Sequence, residues 1–229
     1  MQAQDSHAQF KADAVTLFAH AVQRRNVIVT GTEAGQSQNG AAVEAAASAQ
    51  GFWSWVHGSG EWCAFDKSWA THVDHGWVGV IPAGYGHAAR GICWVTLQPK
   101  DTATPRISVG SMHFLTSKSS EQEPNANSQL QAAALKFAQD KGKSGLVFLN
   151  ADTNMSDQSR NVWGTSQIVT AWDELGKWPG TIETGARNTI DVISRYGSAT
   201  RFTAARRYTD ADVPLYTDHQ LIEATAALT

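Results

Sequence analysis

Cysteine is scarce in this chain, with only Cys63 and Cys93 in 229 residues. Both stand in apolar runs that read as strands, so the first expectation is two buried thiols and no disulfide framework, with a bridge between neighbouring strands as the alternative. Long hydrophobic runs are absent too: no stretch of about 18 apolar residues occurs. The N-terminus Met1-Gln2-Ala3-Gln4-Asp5-Ser6-His7 has neither a basic n-region nor an apolar h-region. A cytoplasmic protein without membrane association is therefore expected. An excess of positive charge is also missing, since 18 Lys and Arg face 21 Asp and Glu for a formal net charge of −3. That balance excludes a protein held to nucleic acid mainly by a broad basic surface, but not one that grips phosphate with a few arginines and a metal. No internal repeat or low-complexity segment occurs. What is present, 42% hydrophobic and 17% charged residues, suffices for one sizeable core, and residues 1–229 are expected to form a single domain.

Residues Phe10, Ala14, Leu17, Phe18, Ala21 and Val22 recur at helical spacing, and the β-branched run Asn26 to Thr30 follows as a strand with Thr32, Glu33, Ala34 and Gly35 at its exit. Ala41 to Ala49 is alanine-rich and predicts a helix. Short aromatic strands come next: Phe52 to Val56, Trp62 to Phe65 and Trp77 to Val80. Gly91 to Leu97 and Ile107 to Leu115 read as a strand pair joined by the turn-rich Gln98 to Arg106. A helix is predicted over Ser128 to Asp140, a strand over 145–149, a helix around Ile168 to Leu175, and closing strands over Thr189 to Ser194 and Leu221 to Leu228. Helices interleaved with many short strands fit two face-packed sheets with helices outside, a four-layer α/β sandwich.

The run Gly145-Leu146-Val147-Phe148-Leu149 ends abruptly in Asn150-Ala151-Asp152-Thr153-Asn154. Residues just past a buried strand are where enzymes of this class place chemistry, and Asp152 and Asn154 leave an extended backbone on the same face. Tyr216-Thr217-Asp218-His219 is a second cluster of this kind, ahead of another strand-like run. Two such clusters suggest one divided active site.

In this order and setting the motifs resemble the endonuclease/exonuclease/phosphatase superfamily, whose fold is shared with deoxyribonuclease I. The resemblance runs from about Asn26 to the C-terminus. It implies a four-layer sandwich of two mixed sheets flanked by helices, and a divalent-metal-dependent phosphodiesterase acting on nucleic acid or another phosphodiester. A phosphatase, a lipid-headgroup phosphodiesterase and a non-catalytic binding or assembly protein of the same fold are the alternatives. Glu33 matches the family's metal-binding glutamate, and a hard ion such as Mg2+ or Mn2+ suits a carboxylate at a strand end. Asp152 and Asn154 match the Gly-Asp-x-Asn motif, with Ala151 at the glycine, a change that matters only if that position requires positive φ. The resemblance gives Asp152 the attacking water and Asn154 the scissile phosphate. Asp218 and His219 match the closing Ser-Asp-His motif, with Thr217 at the serine. They imply a second metal-side carboxylate and a general base, with Asp191 matching the aspartate that orients this histidine. His113 fits a histidine near the phosphate or leaving group, Glu61 resembles the glutamate that holds it, and Arg90 matches an arginine near the phosphate. One departure stands out. Family members open with a strand ending in asparagine, whereas this chain has no asparagine before Asn26 and no convincing strand before its first helix. Either the N-terminal residues supply a substitute strand, a second chain completes it, or the site is impaired.

Other patterns point elsewhere. Thr71-His72-Val73-Asp74-His75 approaches a zinc motif but has Ala70 where a first histidine belongs, so a polar loop is expected. Gly84-Tyr85-Gly86-His87 opens a strand and lacks the helix terminus that binds phosphate. Among nine tryptophans only Trp163 and Trp178, in polar stretches, are expected to meet substrate, the others being core. Arg195, Arg201, Arg206 and Arg207 form an acid-free basic stretch, read as a solvated loop or a track for a phosphate backbone.

Overall fold

The computed structural model describes residues 7–24, 26–35, 37–154, 162–176, 191–209, 211–215 and 221–229. The elements run α1 (His7–Ala21), β1 (Ile28–Gly31), α2 (Ser37–Ala49), β2 (Phe52–Val56), β3 (Trp62–Asp66), β4 (Ala70–Ile81), β5 (Arg90–Pro99), β6 (Arg106–His113), α3 (Ser117–Gln122), α4 (Ala126–Gly142), β7 (Gly145–Asp152), β8 (Ile168–Thr170), α5 (Ala171–Leu175), β9 (Asp191–Tyr196), β10 (Thr200–Arg207) and β11 (Ile222–Leu228). Six strands form one sheet in the order β4-β5-β6-β7-β9-β8, and β1-β3-β2 and β10-β11 form two smaller ones. Among the described strands of the large sheet only β6 and β7 run parallel, because α3 and α4 carry the chain back between them.

Three apolar clusters fill three interlayer spaces. The first joins Ala14 and Phe18 of α1, Val43 and Ala47 of α2, and Val29, Phe52, Trp62 and Ala64 of the small sheet. The second lies between the sheets: Cys63 and Phe65 of β3 meet Cys93, Val95 and Leu97 of β5, Ile107 and Val109 of β6, and Leu146 of β7. The third packs Leu130, Ala134, Phe137 and Ala138 of α4 on Ile92, Met112, Val147, Leu149 and Ala151. Strand alternation makes this possible: Trp62 and Ala64 face the helices while Cys63 and Phe65 face the other sheet. The result is the four-layer α/β sandwich expected of the sequence. Both cysteines are buried thiols, Cys63 donating to the carbonyl of Cys93 at 3.4 Å.

The small-sheet side is split. β1 packs over β6 and β7, and β11 packs over β9, yet among the described residues β1 pairs only with β3 and β11 only with β10. Beneath this interruption Asn150 of β7 donates to Thr30 Oγ1 at 2.8 Å, while its own Oδ1 is buried without a partner among the described residues. Arg24 reaches across, with Nε 3.3 Å from a Glu223 carboxylate oxygen and Nη2 donating to the Tyr208 hydroxyl at 2.9 Å.

Three segments differ from expectation. Ile168–Thr170 is strand β8, pairing with β9, so the helix expected around Ile168 to Leu175 is confined to Ala171–Leu175. Residues 71–75 are strand, part of the twelve-residue β4, and not a loop. A register shift between His72 and Asp74 brings His72 and His75 within 3.0 Å, and Trp53 of the other sheet stacks on His72 with ring centroids 4.3 Å apart. The Arg201 to Arg207 stretch is β10, where Phe202 is buried and its neighbours face outward. No helix among the described residues is long and apolar enough to cross a membrane.

Close backbone approach makes Gly91 the most sensitive glycine of the large sheet, since a Cβ there would stand 2.1 Å from the Val78 carbonyl oxygen. Gly91→Ala is expected to cost about 1–3 kcal/mol in urea denaturation, the usual cost of overpacking a core.

Candidate active site

Along the strands the space between the sheets changes character. It is apolar around Phe65, Val95 and Leu146. It turns polar where Ser111 of β6 donates to the Gly31 carbonyl at 2.9 Å and Asn150 meets Thr30. It becomes charged at the ends of β6 and β7, where His113 and Asp152 are register partners in the parallel pair. The period of two carries the residues at 111 and 113, and those at 150 and 152, onto this inner face.

Asp152 is 4% exposed, and its Oδ2 lies 3.4 Å from His113 Nε2. Its Oδ1 accepts the backbone N–H of Asn154 at 2.9 Å, an Asx turn that bends the chain off the strand. Asn154 sits at φ 50°, a left-handed conformation asparagine tolerates, and its amide donates to the Phe114 carbonyl at 2.9 Å. The Phe114 N–H donates to the Asp152 carbonyl at 2.9 Å, so the ends of β6 and β7 are tied together on both backbone and side chains. Asp191 opens β9 as the register partner of Asp152 across the antiparallel pair.

The opposite wall comes from the small sheet. Glu33, two residues past β1, is held at φ 67°, a costly conformation for a residue with a Cβ. The Ala34 N–H donates to the Gly60 carbonyl at 2.9 Å, and a Cβ on Gly60 would stand 3.3 Å from the Glu33 Cα, so the β1 exit packs on the turn before β3. Glu61, next in that turn, is 0% exposed. One of its oxygens accepts the Ser59 hydroxyl, and Oε1 has no partner among the described residues. Burial pushes the Glu61 carboxyl above the ordinary carboxylate range, against the opposing pull of the Ser59 hydrogen bond and the Arg90 charge. Arg90, the first residue of β5, is buried, and its Nε has no partner among the described residues. Burial lowers its pKa, and the fields of Glu61, Glu33 and Asp152 counter that fall, so one guanidinium answers three carboxylates from both walls.

No protein-family model and no curated protein sequence matches this chain. Solved structures do match. An endonuclease/exonuclease/phosphatase from Bacteroides vulgatus superposes with a TM-score of 0.74 at 14% identity, over 100% of this chain and 95% of that one. A mannosyl-6-phosphatase from Bacteroides thetaiotaomicron gives 0.72 at 13% identity, over 96% and 92%. The human Nocturnin catalytic domain with bound sulfate gives 0.69 at 13% identity, over 96% and 87%. This chain has the endonuclease/exonuclease/phosphatase fold. At such identities the likeness concerns architecture, and the two sheets of that architecture carry the charged cluster at one end of the space between them.

Within the endonuclease/exonuclease/phosphatase fold, Glu33, Glu61 and Asp152 all act on Arg90, while His113 and Asn154 contact Asp152. Asp218 and His219 lie outside the described residues. The partner expected for Glu61 differs: Asp152 stands beside His113, and Glu61 binds Ser59. Ala151 in place of glycine is harmless to the backbone, because its φ is not positive and its methyl joins the α4 core. Trp163 is not a surface contact. It is 2% exposed, and its indole N–H donates to Ser194 Oγ at 2.7 Å. Trp178 lies outside the described residues. Arg195 is held by both oxygens of Glu174 at 2.7 and 2.8 Å, and Arg206 by Asp212 at 3.0 Å, so neither waits for a phosphate backbone. Sequence reasoning missed Ser59 and His57, although the His57-x-Ser59-x-Glu61 spacing carried the signal.

A carboxyl whose pKa is raised in the folded state binds a proton more tightly folded than unfolded. Stability from this source is therefore greatest at low pH and falls as pH rises from the unfolded value, about 4.3, through the raised folded value. Glu61→Gln removes that dependence. The stability of the variant relative to wild type should therefore climb with pH in urea denaturation, and a difference constant with pH would contradict the assignment.

Proposed function

We propose that this chain is a divalent-metal-dependent phosphoric ester hydrolase, nuclease-like in its preference for phosphodiesters. What supports this best is the buried Arg90 at the head of β5, lying in the fields of Glu61, Glu33 and Asp152, beside the His113 and Asp152 pair at the ends of β6 and β7. An enclosed cation flanked by carboxylates and an amide suits a substrate that brings negative charge and a metal ion together.

The donor set fits magnesium or manganese. Magnesium is commonly held by one or two carboxylates and keeps several waters. Glu33 is the proposed anchor, and Asp218 the second carboxylate. A bound ion would supply neutralisation of charge on the phosphoryl oxygens.

The remaining work falls to the chain. His219, oriented by Asp191, takes a proton from water, which then attacks phosphorus while the ester oxygen departs with the bonding electrons. Asp152 accepts hydrogen bonds and positions the water. Arg90, Asn154 and His113 donate to oxygens on which charge develops. In the present geometry the Asn154 amide is engaged with Phe114, so donation to substrate requires exchange of that hydrogen bond.

The test is hydrolysis of plasmid DNA, a chromogenic phosphodiester and a chromogenic phosphomonoester, with magnesium, manganese or chelator. The expected result is metal-stimulated hydrolysis, strongest on the diesters, that falls at least about 100-fold in His219→Ala. Preference for the monoester would favour a phosphatase. Activity unchanged by chelator and by the substitution would reject the mechanism, and no activity on any ester would leave the fold to a binding role.

A further inference from the structure

In a regular strand the side chains of residues three apart leave opposite faces of the sheet. His72 and His75 of β4 break that rule. The register shift between His72 and Asp74 adds a residue to the strand, and both imidazoles turn toward the other sheet, with His72 Nε2 and His75 Nδ1 3.0 Å apart. A bulge is how an edge strand re-aims a side chain. The rings are then clamped by β2. Trp53 stacks on His72 with centroids 4.3 Å apart and planes within 18°, and meets His75 edge-on at 5.5 Å, while Trp55 meets His75 edge-on at 4.8 Å. Both histidines are nonetheless exposed, on a strand that pairs only with β5 among the described residues.

Convergent, held in place and reachable from solvent, the two nitrogens have the spacing of ligands to one ion. Nitrogens bound at about 2.0–2.1 Å stand about 2.8–3.0 Å apart at a right angle and about 3.3–3.4 Å apart at the tetrahedral angle. The observed 3.0 Å matches adjacent corners of a square or slightly flattened site. A direct imidazole hydrogen bond has one facing nitrogen protonated and the other bare. A shared ion needs both bare, with the displaced proton on the far nitrogen of its own ring, so the exchange moves no net proton. The surroundings suit a cation. Burial and the neighbouring His75 lower the His72 pKa against the pull of Asp74, which keeps a lone pair available at neutral pH, and Lys141 of α4 lies in the Asp74 field. No group of three acidic, histidine or cysteine side chains forms a metal position among the described residues, so water fills the remaining corners.

We propose that His72 and His75 chelate a divalent late transition ion, of the copper, nickel and zinc class, at a site separate from the active-site end. On β4 the pair lies opposite Leu97 and Val95 of β5, whereas Arg90 lies opposite Ile81. Imidazole nitrogen selects this class over magnesium and manganese, which prefer oxygen. Trp53 and Trp55 are positioning residues, because rings already immobilised lose little freedom when an ion binds. The site is independent of the proposed hydrolysis and stands or falls by ion binding alone.

Nickel is titrated by calorimetry into the full chain, free of any affinity tag, at about pH 7.5 with magnesium in excess. One ion per chain should bind in the micromolar range, with copper tighter than nickel. His72→Asn and His75→Asn should each weaken binding at least about tenfold, and Trp53→Leu, which keeps both ligands but loosens them, by a smaller factor. Affinity should also fall as pH drops below about 6.5, where protons compete for the same nitrogens. Zinc gives a reading that needs no variant: in NMR spectra of the wild-type chain its binding should shift His72 Nε2 and His75 Nδ1. No saturable binding, several weak ions per chain, or binding that both histidine variants retain reduces the pair to a hydrogen bond and overturns the site. Ring nitrogens unmoved at high zinc do the same.

Discussion

The structure depends on how a dry layer between two sheets comes to an end. Cys63, Phe65, Val95, Leu97 and Leu146 exclude water from most of that layer, and Arg90, His113 and Asp152 on its strands, with Glu61 on the turn before β3, are buried where it ends. Charges in that position are tolerable only as a set, because each alone would bear most of its desolvation cost. Asp152 is held by His113 and the Asn154 N–H, and Arg90 by the fields of three carboxylates. The strain at Glu33 and the left-handed turn at Asn154 are local costs of bringing both walls to one place, and the tight packing of Gly60 on the β1 exit keeps them there.

Much of this was legible where the information is local. The apolar run over residues 145–149 announced β7 and put Asp152 at its end, the period of α1 and the alanines of α2 announced their helices, and the fold class followed from the order of elements. What escaped depended on contacts far apart in sequence. His72 and His75 look like a polar loop until Trp53 of another strand stacks against them. Trp163 looks available until Ser194 takes its indole N–H inside the core. Glu61 was expected at His113, whereas the short-range turn that carries it gives it to Ser59. β10 was hidden because an arginine- and alanine-rich stretch has little strand propensity, and its pairing with β11 supplies what propensity does not.

Among the described residues no strand precedes α1. Among the described residues, β1 and β11 each keep an open edge above the middle of the large sheet, and the buried Asn150 Oδ1 beneath them has no partner. Open edges and an orphaned buried acceptor are features that folded proteins ordinarily satisfy. Here the Arg24, Tyr208 and Glu223 contacts are what span the two pieces.

The central claim is that the buried charges of both walls act as one electrostatic unit centred on Arg90. A double-mutant cycle on Arg90→Met and Asp152→Asn, read as folding free energy, tests it most directly. The account predicts a coupling of at least about 0.5 kcal/mol, the lower range for residues sharing a network, and additivity within about 0.3 kcal/mol would contradict it.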